Sequence, residues 1–525
     1  MKSLKEKFFR KEEKNEYKKN VIIPRGVLET YKIVIDKAEL KVEIKKDENG
    51  IIYYLYSPEI SLPTAVLLDD IRNELISVTS VGLKEITNPA AFAEIKRKFM
   101  KDAEQLLMTK LPKLDTHVKE FLIGKLMQDM MGLGELEFLV NDQSLEEIVI
   151  TSSKEPIRVF HKKYGWIKTN LTIKREDEIT NYSNIIARRV GRQITVLTPL
   201  LDAHLVSGDR VNSILYPISS KGNTITIRKF ARDPYSIVDL ITTNTCDLET
   251  AALIWLAIEY EMNILISGGT ASGKTSFLNA CMPFIPPNHR IISVEDTREL
   301  MLPEFLYWCP LVTRTANPEG KGEVSMLDLL INSLRMRPDR IVLGEMRRKE
   351  EAMVLFEAMH TGHSVYATLH ADSASETISR LTNPPISVPP NLLKAVNLNI
   401  VMFRDRRKGI RRVFQIAEFD AEDDSATATI LYRRSAEEDK LVKHSENSRF
   451  FENISRNTGM SQQDLDKNIE YKKEIISWLI KNNIRTINQI GKVMNIYYND
   501  KEELQKIVAN NEANKIKTES DVTFV

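Results

Sequence analysis

Between residues 241 and 425 short apolar runs alternate with helix-length segments. The runs "NILIS" (263–267), "RIISV" (290–294), "RIVLG" (340–344) and "SVYAT" (364–368) are too short for helices and carry no polar alternation. Runs of that kind read as strands covered on both faces. Alternation of such strands with helices predicts an α/β unit with a mainly parallel sheet. Upstream the pattern changes. "YKIVID" and "IIYYLYS" read as strands, and residues 91–112 repeat apolar positions every 3.6 residues up to Pro112, which ends the predicted helix. These suggest a small N-terminal α+β domain over 21–115. A second small α+β domain is expected over 116–235. It has a helical stretch, "KEFLIGKLMQDM", broken at Gly132 and Gly134. Strands follow near 147–150, 157–161 and 225–228, with a helix over 177–192. The charged, weakly periodic stretch 228–240, with Pro234, suggests a hinge. Residues 426–525 are expected to form a mostly helical accessory region, in which the amphipathic segment 463–482 has Ile475, Ile476 and Trp478 to bury.

Composition narrows the class. Hydrophobic residues at 42% and charged residues at 28% fit a globular chain and exclude a wholly disordered one. Lys+Arg 74 against Asp+Glu 73 gives no global attraction to nucleic acid. Three cysteines, Cys246, Cys281 and Cys309, cannot build a disulfide framework or a four-cysteine zinc site, which points to an intracellular chain. No run reaches the roughly 18 apolar residues of a membrane span. Residues 1–20 hold eight Lys/Arg and four Glu without an apolar stretch after them, so they read as a basic, disordered tail and not as a secretory signal.

The chemistry concentrates at residues 268–275. Gly268, Gly269, Thr270, Ala271, Ser272, Gly273, Lys274 and Thr275 match G-x-x-x-x-G-K-[ST], between a predicted strand and a predicted helix. The glycines permit tight turns. The N–H groups from Thr270 onward, and the helix start at Lys274–Thr275–Ser276, can surround phosphates. Lys274 is placed for the β and γ phosphates and Thr275 for Mg²⁺. Two acids stand at strand ends, Glu295 within "SVED" and Glu345 after "RIVLG". Either can orient or deprotonate an attacking water, and spacing does not assign the roles. Histidines fall at 360, 363 and 370. The i,i+3 pair has no third ligand at convincing spacing, and His370 is read as a phosphate-sensing or conformational residue.

Four segments in order resemble the boxes of the secretion ATPase superfamily, the motors of type II secretion, type IV pili, DNA transfer and the archaellum. Residues 268–275 resemble Walker A, "ISVEDTRE" (292–299) the Asp box, "LRMRPDRIVLGEMR" (334–347) Walker B and "TGHSVYATLH" (361–370) the His box. The resemblance extends to 201–230, which is similar to the family's segment joining the N-terminal domain to the motor domain, to 132–170, where it is nearest to archaeal members, and more weakly to "IYYND" at 496–500. It implies a RecA-like ATPase domain at 241–425 preceded by a PAS-like domain, with ATP and Mg²⁺ as ligands. Thr275 and Glu345 would hold the metal, Glu295 and Glu345 would handle water and metal, and His370 would couple the γ-phosphate to motion. Arg210 and Arg228 match arginines that reach the nucleotide. The resemblance further implies a homohexamer at the inner face of the cell membrane. Its partners would be a polytopic membrane platform protein and cytoplasmic accessory proteins of a filament machine. The absent four-cysteine element argues against the bacterial type II branch. The alternative is a DNA-handling motor, suggested by the basic run Arg404, Arg406, Arg407, Lys408, Arg411 and Arg412. The lack of interleaved stacking aromatics counts against nucleic acid there, and a charged hairpin on a solvated face is the plainer reading.

Overall fold

The computed structural model describes residues 26–517 apart from 36–37, 49, 59, 79–88, 206–207, 231–233, 317–319 and 446–447. The basic tail at 1–20 lies outside the described residues, as do residues 231–233 of the expected hinge. The chain divides into two compact units, Met1–Arg232 and Asp233–Val525.

The first unit is built on one nine-stranded sheet. Its strands are β1 (Val27–Ile35), β2 (Ala38–Asp47), β3 (Gly50–Tyr56), β4 (Leu145–Ile150), β5 (Arg158–His161), β6 (Gly165–Thr169), β7 (Leu200–His204), β8 (Arg210–Ile214) and β9 (Thr224–Arg228), in the order β1-β2-β3-β6-β5-β4-β9-β8-β7. The two small domains expected over 21–115 and 116–235 therefore share a sheet. β3 pairs in parallel with β6, Ile52 opposite Lys168 and Tyr53 opposite Thr169. The Tyr31 and Tyr53 hydroxyls both donate to Asp142, at 2.7 and 2.8 Å. The expected boundary at 115 is an ordinary helix start. The Asp115 carboxylate accepts from the His117 N–H and caps the helix Thr116–Met131. Its Leu122 and Leu126 share a core with Ile71, Phe99 and Leu107 of the two preceding helices. A hairpin such as β2–β3 leaves an unpaired edge, and the long-range pairing that covers it has no local signature.

The second unit holds β10 (Ile264–Gly268), β11 (Arg290–Glu295), β12 (Tyr307–Val312), β13 (Arg340–Leu343), β14 (Ser364–Leu369), β15 (Leu398–Asp405), β16 (Ile410–Ala421), β17 (Ala426–Arg434) and β18 (Leu441–Lys443). Their order is β12-β11-β13-β14-β10-β15-β16-β17-β18. The first six strands in that order are parallel, and β16 to β18 continue the sheet antiparallel. The four predicted apolar strands form β10, β11, β13 and β14. The boundary expected at 425 falls inside the sheet, because β16 and β17 pair through Ala421 and Ala426. Helical structure after it begins at Arg449–Thr458 and continues in Gln462–Lys481, Ile487–Asn499 and Lys501–Ala509.

Those C-terminal helices share the core of the unit. Ile475, Ile476 and Tyr497 are buried with Trp255 of the helix Leu248–Glu259, whose indole stacks on Phe284 at 5.1 Å. The fully buried Lys472 forms an ion pair with Glu259 at 2.6 Å and lies 5.2 Å from the Trp255 ring. Removing one member of such a pair strands the other charge in the interior, which costs about 3–5 kcal/mol. Glu259 keeps Lys501 at 3.7 Å, so Lys472→Ala should lie at the low end, about 3 kcal/mol. Urea unfolding with an unchanged midpoint would show the pair to be dispensable.

Among the described residues no helix is long and apolar enough to cross a membrane.

Candidate active site

β10 lies inside the sheet, hydrogen-bonded on both sides by parallel strands and buried along its length. The carboxyl ends of β10, β14 and β13 therefore open at one edge, where open α/β sheets present their ligand crevice. From β10 the chain turns through 268–273 into the helix Lys274–Cys281. Gly273, at φ 93°, has the left-handed backbone that this entry needs. At Gly268 a Cβ would lie 2.5 Å from Ser272 Oγ and 2.6 Å from the Met402 carbonyl, so the fold of the loop itself demands glycine there. Thr270, Ala271 and Ser276 are exposed, Gly269 and Thr275 half-buried, and Ser272 is buried with an Oγ that has no hydrogen-bond partner.

Lys274 is buried. Its Nζ donates to the carbonyls of Gly268 (2.8 Å) and Gly269 (3.2 Å) and lies 3.4 Å from His370 Nδ1. Burial pushes its pKa down, against the pull of Glu345, Asp372 and Glu299. His370 follows β14 directly, and its Nε2 lies 2.9 Å from Glu345 Oε1. An ammonium at Nδ1 makes that nitrogen the acceptor, which leaves the proton on Nε2, donated to the carboxylate. Burial, then the Lys274 charge, hold the His370 pKa low, with Glu345 opposing. Glu345 Oε2 accepts from Arg347 Nε at 2.7 Å and Nη2 at 2.5 Å, and Arg347 also pairs with Asp296. Lys274, His370, Glu345, Arg347 and Asp296 thus form one connected polar chain along the strand ends. A cleft of about 370 Å³ opens beside it, lined by Glu345, Arg347, His370 and Arg380 among others.

Glu295, the last residue of β11, stands differently. It is 1% exposed. Its Oε1 accepts from the N–H groups of Glu299 (2.8 Å) and Leu300 (3.0 Å), and its Oε2 is buried with no hydrogen-bond partner. Burial pushes its pKa up to about 7, against those two N–H donors. The acids of "SVED" thus divide into a buried carboxylate with a free oxygen and an ion-paired one. That division is invisible in the sequence, where both are acids at a strand end.

The other candidates fall as follows. His360 ends the helix Lys349–His360 with Nδ1 2.8 Å from the Phe356 carbonyl, and His363 Nδ1 lies 3.2 Å from Thr361 Oγ1. Among the described residues no group of three or more His, Cys, Asp or Glu is arranged to hold a metal by itself. Arg210 and Arg228 belong to the first unit, opposite one another on β8 and β9. Arg210 forms a bidentate pair with Asp202, at 3.1 and 2.6 Å, and Arg228 stands opposite Glu147 of β4. In the basic run, Arg411 Nε donates to the Ala271 carbonyl at 3.1 Å and Arg412 pairs with Asp439 at 3.0 Å. Those two arginines brace the fold. Arg347 received no role from the sequence, and Arg411 only a place in the basic run. Arg347 had a signal, its spacing of two from Glu345 on an extended stretch, whereas Arg411 reaches the loop only through the β15–β16 hairpin.

The residues present suit a nucleotide's phosphates. A glycine-shaped loop meets a helix start, with a lysine whose partners are the loop's own carbonyls, a hydroxyl in the first helical turn, and a carboxylate across the crevice.

Residues 198–424 match the family described as "Type II/IV secretion system protein". An uncharacterized protein of Methanocaldococcus jannaschii is 37% identical over 385 residues, 71% of this chain and 69% of that protein. The type IV secretion system protein PtlH of Bordetella pertussis is 32% identical over 289 residues, 48% of this chain and 83% of PtlH. The X-ray structure of the Legionella pneumophila ATPase DotB aligns over 74% of this chain and 96% of that one, at 19% identity and TM-score 0.40.

Proposed function

Because the chain belongs to the type II/IV secretion ATPase superfamily, we propose that it is a Mg²⁺-dependent ATPase working as a homohexameric motor. It drives assembly or rotation of an archaeal type IV pilin-like filament. It acts through a polytopic membrane platform protein, with cytoplasmic accessory proteins of the same machine, at the inner face of the cell membrane. The similar archaeal protein supports the archaeal branch. In this reading the second unit contains a RecA-like domain and the first unit a PAS-like one. The observation that carries the enzymatic reading is the contact chain from Lys274 through His370 to Glu345, at the ends of three neighbouring parallel strands.

Each residue has a task that its surroundings suit. The N–H groups of 270–275 bind the phosphates of ATP. Lys274 exchanges the Gly268 and Gly269 carbonyls for phosphate oxygens, a stronger charge-assisted partner. Thr275 and Glu345 hold Mg²⁺, which supplies neutralising charge on the phosphate oxygens. Glu295, with its unpartnered oxygen and raised pKa, takes the proton of the attacking water. His370 joins Lys274 to Glu345, so a change at the phosphates reaches the Walker B strand through one imidazole. Purified chain should release phosphate from ATP only with Mg²⁺ and should form a hexamer in light scattering. Full turnover by a monomer would defeat the ring.

Arg210 and Arg228 are proposed to stabilise the charge that develops on the transferred phosphoryl group. Arg228→Ala should leave nucleotide affinity within about twofold and slow turnover by about a hundredfold or more, below the largest arginine effects known in phosphoryl transfer. Mixing this chain with Lys274→Ala tests whether the arginine serves a neighbouring subunit. Recovered activity would show that it does, and continued inactivity would place it within its own chain.

A DNA-handling motor is the second reading, favoured by the exposed Arg406, Arg407 and Lys408 at the β15–β16 turn. Salt-sensitive binding of a DNA duplex by the whole chain would support it.

A further inference from the structure

The loop that follows Glu295 is held from three sides. At its start, the Glu299 and Leu300 N–H groups donate to Glu295 Oε1. Next, the Met301 N–H donates to Asn279 Oδ1 at 2.8 Å, on the helix that begins at Lys274. Beyond that, Pro303 and Phe305 meet the C-terminal helix Ile487–Asn499 at Gly491, and the Glu304 N–H donates to Asn488 Oδ1 at 3.3 Å. A Cβ at Gly491 would lie 2.7 Å from Pro303 Cβ and 3.0 Å from two carbons of the Phe305 ring. The Phe305 ring can turn aside, but Pro303 Cβ belongs to a ring fused to the backbone, so relief requires the loop to move. Glycine in a helix interior is otherwise disfavoured. Its presence here marks a close approach between helix and loop.

The helix has little freedom to yield. Tyr498 donates to the Phe284 carbonyl at 2.6 Å, Tyr497 OH lies 3.1 Å from the buried Lys472, and Ile490, Val493 and Met494 are buried in the core.

We propose that Gly491 is a positioning residue for the hydrolytic step: the C-terminal helix braces loop 299–305 so that its N–H groups fix the Glu295 carboxylate. This rests on Glu295 as the group that takes the proton of water. The Oε1 oxygen is held by the loop, which leaves Oε2 to meet the water. A loop pushed away from Gly491 releases Oε1, lets the carboxyl group rotate and removes the two donors that favour its charged form.

The test uses the full chain carrying Gly491→Ala or Gly491→Val, with kcat and KM for ATP measured from pH 5.5 to 9. Turnover should fall about tenfold for alanine and further for valine, as a small misplacement of a reacting group does. KM should stay within about twofold, because the phosphate loop is untouched. The acid limb of kcat should move to higher pH, because the lost N–H bonds had stabilised the carboxylate. Asp296 and Arg298 on its own segment, and Glu345 and Arg347 after β13, stay in place; Glu299 moves with the loop, and the departure of its negative charge, which had raised the Glu295 pKa, offsets only part of that shift. A fold weakened in general would lower activity without moving that limb. Adding Pro303→Gly to Gly491→Ala removes the nearest clashing atom and should restore at least half of kcat together with the parent limb. A folded Gly491→Ala chain with parent kcat and parent limb overturns the proposal, as does lost activity with an unmoved limb. If the Gly491 variants do not fold, Asn488→Ala decides: about threefold slower turnover with a shifted limb supports the bracing, and parent behaviour rejects it. Glu295→Gln run alongside separates the two readings. Parent turnover there removes Glu295 from the chemistry, whereas an inactive Glu295→Gln with a parent-like Gly491→Ala removes only the bracing.

Discussion

Lys274→Ala is expected to fold and to lose ATP affinity by at least about a hundredfold, because a hydrogen bond to a charged group contributes about 1.5–3 kcal/mol and this lysine can make two. Its ammonium is buried and held by the carbonyls of Gly268 and Gly269. Burial depresses its pKa, so folding disfavours the charged amine at every pH where the unfolded chain carries it. Alanine removes that cost but takes the donor from the Gly268 carbonyl, whose bond to Lys274 is buried. The two effects oppose one another, so thermal stability at neutral pH should change little, while calorimetric titration should show ATP affinity collapsing. A loss of affinity with a large drop in melting temperature would mean that Lys274 organises the loop. Unchanged affinity would remove phosphate from this loop altogether. His370 loses the cation beside Nδ1, and its pKa should rise because that charge had been holding it down.

What the sequence made legible follows the range of the interactions involved. The strand, turn and helix around 268–275 are legible because their geometry is fixed locally, by two glycines between a buried strand and a helix start. Strands β10, β11, β13 and β14 are legible because a strand covered on both faces must be apolar at every position. β17 and β18 were missed: "ATATILYRR" carries a mixed pattern and forms a strand through pairing with β16. The junction of β3 with β6 is likewise a pairing between residues more than a hundred positions apart. Acids were found at strand ends, but their difference was not. Glu295 is buried because the 299–300 backbone folds back over it, and Asp296 pairs with an arginine contributed by another strand end. Gly491 gave no signal, since its meaning lies in Pro303 and Phe305, nearly two hundred residues away.

Glu295→Gln should lower turnover by about a hundredfold or more, within the range general-base catalysis supplies, and leave ATP affinity near the parent value. The amide oxygen can still accept from the Glu299 and Leu300 N–H groups, so the side chain keeps its place and loses its basicity. The parent enzyme should gain activity as pH rises through about 7, where burial has moved this carboxyl group, and the residual activity of the variant should lack that limb. Stability should move the opposite way. The folded pKa lies above the ordinary carboxylate value of about 4.5, so the folded state favours the protonated form. Stability is then greatest below about pH 4.5 and declines toward pH 7, by on the order of 3 kcal/mol. Glutamine removes that decline, so at pH 8 the variant should unfold at equal or higher urea than the parent. Glu345→Gln should behave differently. His370 can still donate to the amide oxygen, but Arg347 and any metal lose a negative partner. Its turnover should depend on higher Mg²⁺ concentrations and keep the limb near pH 7. If Glu345→Gln abolishes the limb and Glu295→Gln instead raises the Mg²⁺ requirement, the two roles are exchanged. If Glu295→Gln turns over at the parent rate, its raised pKa reflects burial alone, and the base must be sought along the Glu345–Arg347–Asp296 chain.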